Sequence, residues 1–348
     1  MTYDAVVVGA GVNGLTAAAR LAAAGRSVLV VERSASVGGN ARTEELLVDG
    51  VHHDLGAAVV PFAAASPAFR ALGLELELDH SPIALAHPLD GGTAGVLHRD
   101  VDATAAGLGG DARRYRRFVA PLVSRFDELA DDVMGPQLKV PDHLLLMARF
   151  GLVAAMPATL ASARFRTPAA KALFTGIAAH ATVPPDRPVT AGVGYMLLLA
   201  AHAVGWPVVR GGTQGVADAL AAFVVANGGA VEVGREVRSL AELPPAPATL
   251  LDVTPRQLAG LAPDAAPAYR RWRYGPGACK VDYVLAGPMP WAASECRRAA
   301  TVHVGGTASE IAAAEHEVAS GHHAERPFVL VAQPDVADPS RRDGERRP

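Results

Sequence analysis

The residues with the clearest chemical capacity stand at the start of the chain: Gly9-Ala10-Gly11-Val12-Asn13-Gly14, and Glu32, 18 positions beyond the last of these glycines. The spacing is G-x-G-x-x-G. Gly9 permits a tight turn out of a strand, Gly11 lets the backbone approach a pyrophosphate with no Cβ between them, and Gly14 allows helix and strand to pack closely. Val12 and Asn13 fall where that helix opens, and its unpaired N–H groups and partial positive charge attract phosphate. Glu32 ends the next apolar run. A carboxylate there accepts hydrogen bonds from both ribose hydroxyls of an adenosine and repels a 2′-phosphate, which disfavours NADP. Glycine turn, helix and answering acid together predict a site for an adenine dinucleotide.

The residues that follow narrow the cofactor. Glu32-Arg33 leads into Val37-Gly38-Gly39-Asn40-Ala41-Arg42-Thr43. A simple NAD dehydrogenase has no reason to place a Gly-Gly turn and an arginine just past the ribose acid. The stretch resembles the loop that covers the pyrophosphate in flavoproteins of the glutathione-reductase and amine-oxidase type. In that reading the glycines allow close approach and the guanidinium supplies a fixed fork of donors. FAD is therefore the expected cofactor, and Arg33, Gly38, Gly39 and Arg42 join the candidate site.

Other reactive side chains offer less. His52-His53 invites covalent flavin attachment or acid–base work, but two histidines at a strand end are more often simply tolerated. His180, His202 and His303 read as packing or hydrogen-bonding groups. Cys279 and Cys296 show no redox spacing and are too few for a disulfide framework or a metal cluster. No metal site and no catalytic acid or base is assigned.

The elements that must position the first motif are compact. Asp4 to Val8 is a short β-branched run suited to a strand buried on both faces, a helical stretch runs to Ala24 with Gly25 as its stop, and Val28 to Val31 is a second buried strand. This is the βαβ unit of a parallel sheet, so the fold class is α/β and Rossmann-like. The assigned organisation is a first nucleotide-binding part over 1–75, an inserted α+β substrate part over 76–205, a nucleotide-binding return over 206–260 and a substrate-part return over 261–339. Residues 340–348 are expected to form an unstructured tail. Within this frame Ile83–Ala86 and Gly95–His98 predict a hairpin about Asp90-Gly91-Gly92. One long helix is expected from an Asp111 cap through Val133. Thr213 is expected to cap a helix to Val225, and Ala230–Val233, Thr249–Val253, Lys280–Leu285 and Phe328–Val331 are expected strands.

Composition excludes some partners. The net charge is −3 and there is no Lys/Arg stripe, so no field exists for a nucleic-acid backbone. Only Lys139, Lys171 and Lys280 are lysines, a bias that fits codon usage. The 21 uncharged residues from Val189 to Val209 are long enough for a bilayer, yet their glycines, His202 and Pro207 favour a buried helix. A cytoplasmic setting is expected, with peripheral contact to a membrane left open.

The run from Met1 to Asp54-Leu55-Gly56 resembles the start of phytoene-desaturase-like FAD-dependent oxidoreductases. His202-Ala203-Val204-Gly205-Trp206-Pro207 with Arg210-Gly211-Gly212-Thr213 is similar to the same family. So are Leu251-Asp252-Val253-Thr254-Pro255-Arg256-Gln257, Tyr274-Gly275-Pro276-Gly277 with Lys280-Val281-Asp282-Tyr283, and Thr301 to Thr307. The similarity runs to about Pro339. It implies that backbone groups at Val237 hold the adenine, that Asp54 to Ala57 run beside the flavin, and that hydride passes from an apolar, isoprenoid-like small molecule to FAD. Amine oxidation is the alternative enzyme reading. Relatives continue well past this length to supply a closing parallel strand, whereas Ser340 to Pro348 carry six charges and nothing apolar. The resemblance thus implies a truncated chain with its closing strand missing, and a second alternative in which it is inactive and retains at most nucleotide binding.

Overall fold

The computed structural model describes residues 2–136 and 138–348. The chain opens with β1 (Ala5–Val8), α1 (Val12–Ala23) and β2 (Val28–Val31), and every residue of both strands is buried. The strands pair in parallel, from Ala5 opposite Val28 to Val8 opposite Val31. Leu15, Ala18, Ala19 and Ala22 form the buried stripe of α1, and Gly25, at φ +73°, takes the left-handed turn that ends it. Strand Ala248–Leu251 flanks β1 and strand Ala230–Glu232 flanks β2, both parallel, completing a four-stranded sheet. The helix Gln214–Ala226 packs against α1 through Val216, Ala217, Leu220 and Val224, which share one core with Leu15, Ala18 and Ala19. The α/β, Rossmann-like class therefore holds.

A second four-stranded sheet joins Val329–Ala332, Ala299–Val304, Ile83–Leu89 and Thr93–Leu97 in that spatial order, with one parallel and two antiparallel pairings. The expected hairpin is present, its turn carried by Gly91 and Gly92 at φ +80° and +76°. Helices between Val101 and Ala203 pack on this sheet and form the largest core, where Phe118 and Tyr195 stack at 4.3 Å.

Several local expectations are corrected. The helix expected to reach Val133 is two, Ala112–Val123 and Phe126–Val133. Pro121 lacks the N–H of one ladder bond a turn before the break, and Asp127 and Glu128 start the second helix favourably. Asp111 does not cap its own helix. Its buried carboxylate accepts the amides of Arg166 and Thr167, both at 2.7 Å. Thr213 does not cap either, because its hydroxyl donates to Asp54. Lys280–Leu285 is no strand: Val281 and Tyr283 are exposed and only Leu285 bridges, to Arg347. With a backbone bridge only at Leu285, the β-propensity of the run does not by itself make a strand.

Val189–Val209 is the expected buried helix, Thr190–Ala203, followed by the short strand Val208–Val209. No helix among the described residues is long and apolar enough to cross a membrane. Residues 340–348, expected as an unstructured tail, return to the body of the protein. Arg341 is completely buried, with Nη2 2.8 Å from Asp54 Oδ2, and Arg342 and Arg347 pair with the buried Asp335. Charge count misleads here because each of these three guanidiniums meets a buried carboxylate.

Candidate dinucleotide-binding site

The C-terminal ends of β1, β2 and Ala248–Leu251 open into a cavity of about 510 Å³. Ligands of open α/β sheets sit in this crevice, beyond the carboxyl ends of the strands. Of the residues singled out from the sequence, Gly9, Gly11, Glu32, Arg33, Gly39, Arg42 and Val237 line it. Val12, Asn13, Gly14 and Gly38 lie behind that lining, in the turn and the first helical turn that shape it.

The glycine turn is built by contact with a residue the motif does not contain. Gly9 has φ +104°, and a Cβ there would stand 2.4 Å from the Asp252 carbonyl oxygen. At Gly14 a Cβ would stand 2.2 Å from Gly9 O, and the Gly14 amide donates to Asp252 Oδ2 at 2.8 Å. Gly11 also faces this carboxylate, with its missing Cβ position 3.1 Å from Oδ2. The first requirement for three small residues is therefore the approach of Asp252 at the end of Ala248–Leu251.

The second glycine turn lies on the first. Gly38 N–H donates to Ala10 O at 2.7 Å, Gly11 and Gly38 form a β-bridge, and a Cβ on Gly39 would touch Gly11 Cα at 3.4 Å. Two backbones meet with no side chain between them. Arg42, further along the same loop, donates from Nε to Gly39 O at 3.2 Å and lies 3.5 Å from Glu44, so its guanidinium is held at the cavity wall.

Glu32 has a structural task as well. Its Oε2 accepts the Ala10 amide and its Oε1 the Ser34 amide, both at 2.8 Å. Burial pushes its carboxyl upward, but these two amides, with the Ser34 hydroxyl and the Arg33 charge, outweigh it and leave the group below the usual carboxylate range. A carboxylate offers about four acceptor sites, so roughly one or two remain for ribose hydroxyls.

Sequence reasoning missed the rest of the wall. Asp252 fell inside the expected strand Thr249–Val253; the observed strand stops at Leu251 and pairs in parallel with β1, so an acid at the end of an apolar run was the available signal. Gln257, Gly260 and Leu261 come from the helix Pro255–Leu261, which Thr254 and Gln257 start with a reciprocal capping box. Arg235 and Arg238 also line the cavity, each paired with a neighbouring glutamate, Glu232 and Glu236. The histidines lie elsewhere: His53 faces Tyr283 O at 3.2 Å, His202 sits between Tyr115 Oη and Arg99 O, and His180 meets His303 at 3.1 Å. None of these four lines the cavity.

A glycine-turn βαβ unit with an acid at the end of β2 and a crevice above its strands defines a Rossmann-like dinucleotide-binding protein. Residues 7–72 match the NAD(P)-binding Rossmann-like domain family. The chain is 34% identical over 140 residues to a limonene dehydrogenase polypeptide of Castellaniella defragrans, covering 38% of this chain and 24% of that protein. It is 29% identical over 251 residues to hydroxyneurosporene desaturase of Rubrivivax gelatinosus, covering 65% and 46%. It is 28% identical over 276 residues to pyridine nucleotide-disulfide oxidoreductase domain-containing protein 2 of Rattus norvegicus, covering 66% and 47%. The chain thus spans less than half the length of each of these three relatives.

Proposed function

We propose that this chain binds FAD and belongs to an FAD-dependent dehydrogenase or desaturase acting on an apolar, isoprenoid-like substrate. The observation that carries the reading is the junction of two glycine turns, backbone on backbone, at a crevice lined by Glu32 and Arg42. An adenine dinucleotide fits this arrangement. The acceptor sites left on Glu32 take the ribose hydroxyls, Val237 borders the adenine, and the Gly9–Gly14 and Gly38–Gly39 backbones with Arg42 surround the pyrophosphate.

Bound flavin supplies the hydride acceptor, and the protein's share is binding, orientation and exclusion of water. Two relatives are named as a limonene dehydrogenase and a hydroxyneurosporene desaturase, which supports dehydrogenation of an apolar molecule. Peripheral contact with lipid belongs to the same proposal: the helix Leu144–Ala154 exposes Leu145 and Leu152, at 87% and 71%.

The test is a titration of FAD into the folded chain, followed by flavin fluorescence and the visible spectrum. Saturable binding that is lost in Glu32→Ala supports the reading, and absence of binding by the unaltered chain refutes it.

A further inference from the structure

We propose that Asp54 is the positioning residue of the nucleotide site, holding the Gly38–Arg42 loop against the first glycine turn. The proposal rests on the reading of that site given above and deepens it. Asp54 does not line the cavity, whereas Gly39, Asn40 and Arg42 do, so it acts through the loop.

The short strand His53–Asp54 pairs antiparallel with Thr43–Glu44, directly after the loop. Asp54 Oδ1 accepts three hydrogen bonds, from Thr43 Oγ1 at 2.7 Å and from the amide and hydroxyl of Thr213, both at 2.9 Å. Thr43 Oγ1 accepts the Gln214 amide at 3.1 Å, and Gln214 Nε2 donates to Val37 O at 3.1 Å. Leu55 N–H donates to Arg42 O at 2.8 Å. The loop is thus tied at both ends, at Val37 and at Arg42-Thr43, by a network centred on one carboxylate.

The other oxygen faces the opposite way. Asp54 Oδ2 receives Arg341 Nη2 at 2.8 Å, with side-chain exposures of 2% and 0%. Arg341 Nη2 and Nε also reach His52 O, at 3.1 and 3.3 Å. A buried carboxylate without a cation would be costly, and Arg341 supplies that cation and fixes the direction of the carboxylate. Packing around the loop is equally tight: a Cβ on Gly56 would stand 2.4 Å from Asn40 O, and one on Gly212 would stand 2.2 Å from Thr43 Oγ1.

The loop needs this outside support. Gly38 and Gly39 lie at φ +120° and +57°, and glycines in such conformations have little preference of their own. Untied, the loop would have to be ordered at the moment of binding, which weakens affinity for whatever it covers. It borders the pyrophosphate in the proposed reading, while Glu32 and Val237 border the nucleoside.

The test compares the unaltered chain with Thr43→Val, Thr43→Ser and Asp54→Asn, titrating FAD, ADP and adenosine by calorimetry and recording the unfolding temperature of each variant. Thr43→Val keeps the shape and removes the hydroxyl that links Asp54 to the loop. It is expected to bind FAD and ADP about tenfold more weakly, the worth of roughly one hydrogen bond, with adenosine unchanged. Thr43→Ser is expected to restore binding, and Asp54→Asn to repeat the Thr43→Val pattern in its folded fraction. Equal FAD and ADP affinity in Thr43→Val and the unaltered chain overturns the proposal, as does a parallel loss of adenosine, which would mark a general structural defect. If the unaltered chain binds none of the three ligands, the nucleotide reading itself fails and the assignment of Asp54 falls with it.

Discussion

The carboxylate of Asp252 accepts the backbone N–H of Gly14 at 2.8 Å, so a strand from late in the chain ends on the first turn of α1. That amide is one of the orphan donors at the helix start, and the acid both satisfies it and favours the positive end of the helix. The contact brings residues 238 positions apart together within the crevice.

Gly14 should therefore tolerate no side chain. In Gly14→Ala the new Cβ would stand 2.2 Å from Gly9 O, and neither atom belongs to a flexible side chain. The expected outcome is a loss of about 2–3 kcal/mol of stability by urea denaturation, the upper range for overpacking, together with lost dinucleotide binding. An unchanged urea midpoint would refute it.

Glu32 should show a two-part effect. Glu32→Gln keeps one acceptor oxygen for an amide, whereas Glu32→Ala strips both the Ala10 and Ser34 amides of their partner. The alanine variant is expected to lose stability and ribose binding, and the glutamine variant mainly ribose binding. Because the folded carboxyl lies below its usual range, its contribution is present above the unfolded pKa and is lost as pH falls through the folded value. Denaturation midpoints from about pH 6 down to about pH 3 in the unaltered chain and Glu32→Gln check the sign.

Acid should also act on a buried histidine cluster. His180 Nε2 lies 3.1 Å from His303 Nε2, and the His87 and His303 rings meet edge to face. Burial lowers all three, His180 to about 4, and for His303 the neighbouring imidazoles lower it further. The folded protein keeps them neutral while the unfolded chain takes up protons below about 6.5, so stability is full above that pH and declines as pH falls toward about 4. His180→Asn is expected to flatten this slope, and an identical slope would count against the assignment.

Arg341→Met is expected to be severely destabilising. It leaves Asp54 as a buried charge without its cation, a change that costs about 3–5 kcal/mol in comparable pairs. Thermal unfolding measures it. A variant that unfolds with the parent would show that the hydrogen bonds from Thr43 and Thr213 suffice.

Lipid contact can be read by co-sedimentation with phosphatidylserine vesicles. Leu145 and Leu152 are exposed on one helix, so Leu145→Ser with Leu152→Ser should reduce the bound fraction several-fold without affecting FAD affinity. No binding by the parent chain would remove the membrane from the proposed function.

The chain announced the βαβ unit by itself, because everything that specifies it is local. The apolar runs Ala5–Val8 and Val28–Val31, the glycine turn and Gly25 lie within about thirty residues, and Glu32 follows at once. The hairpin about Gly91-Gly92 and the buried helix Thr190–Ala203 were legible for the same reason.

What only the tertiary structure decided are the long-range partners. Asp252 meeting Gly14, Asp54 meeting Arg341 and Asp111 meeting the Arg166 amide join residues 238, 287 and 55 positions apart. Periodicity and propensity carry no information on such pairs, since a carboxylate reads the same in sequence whether it faces water, caps its own helix or is buried against a distant donor. Burial makes the partner obligatory, and the packing of sheets and helices alone determines which partner arrives.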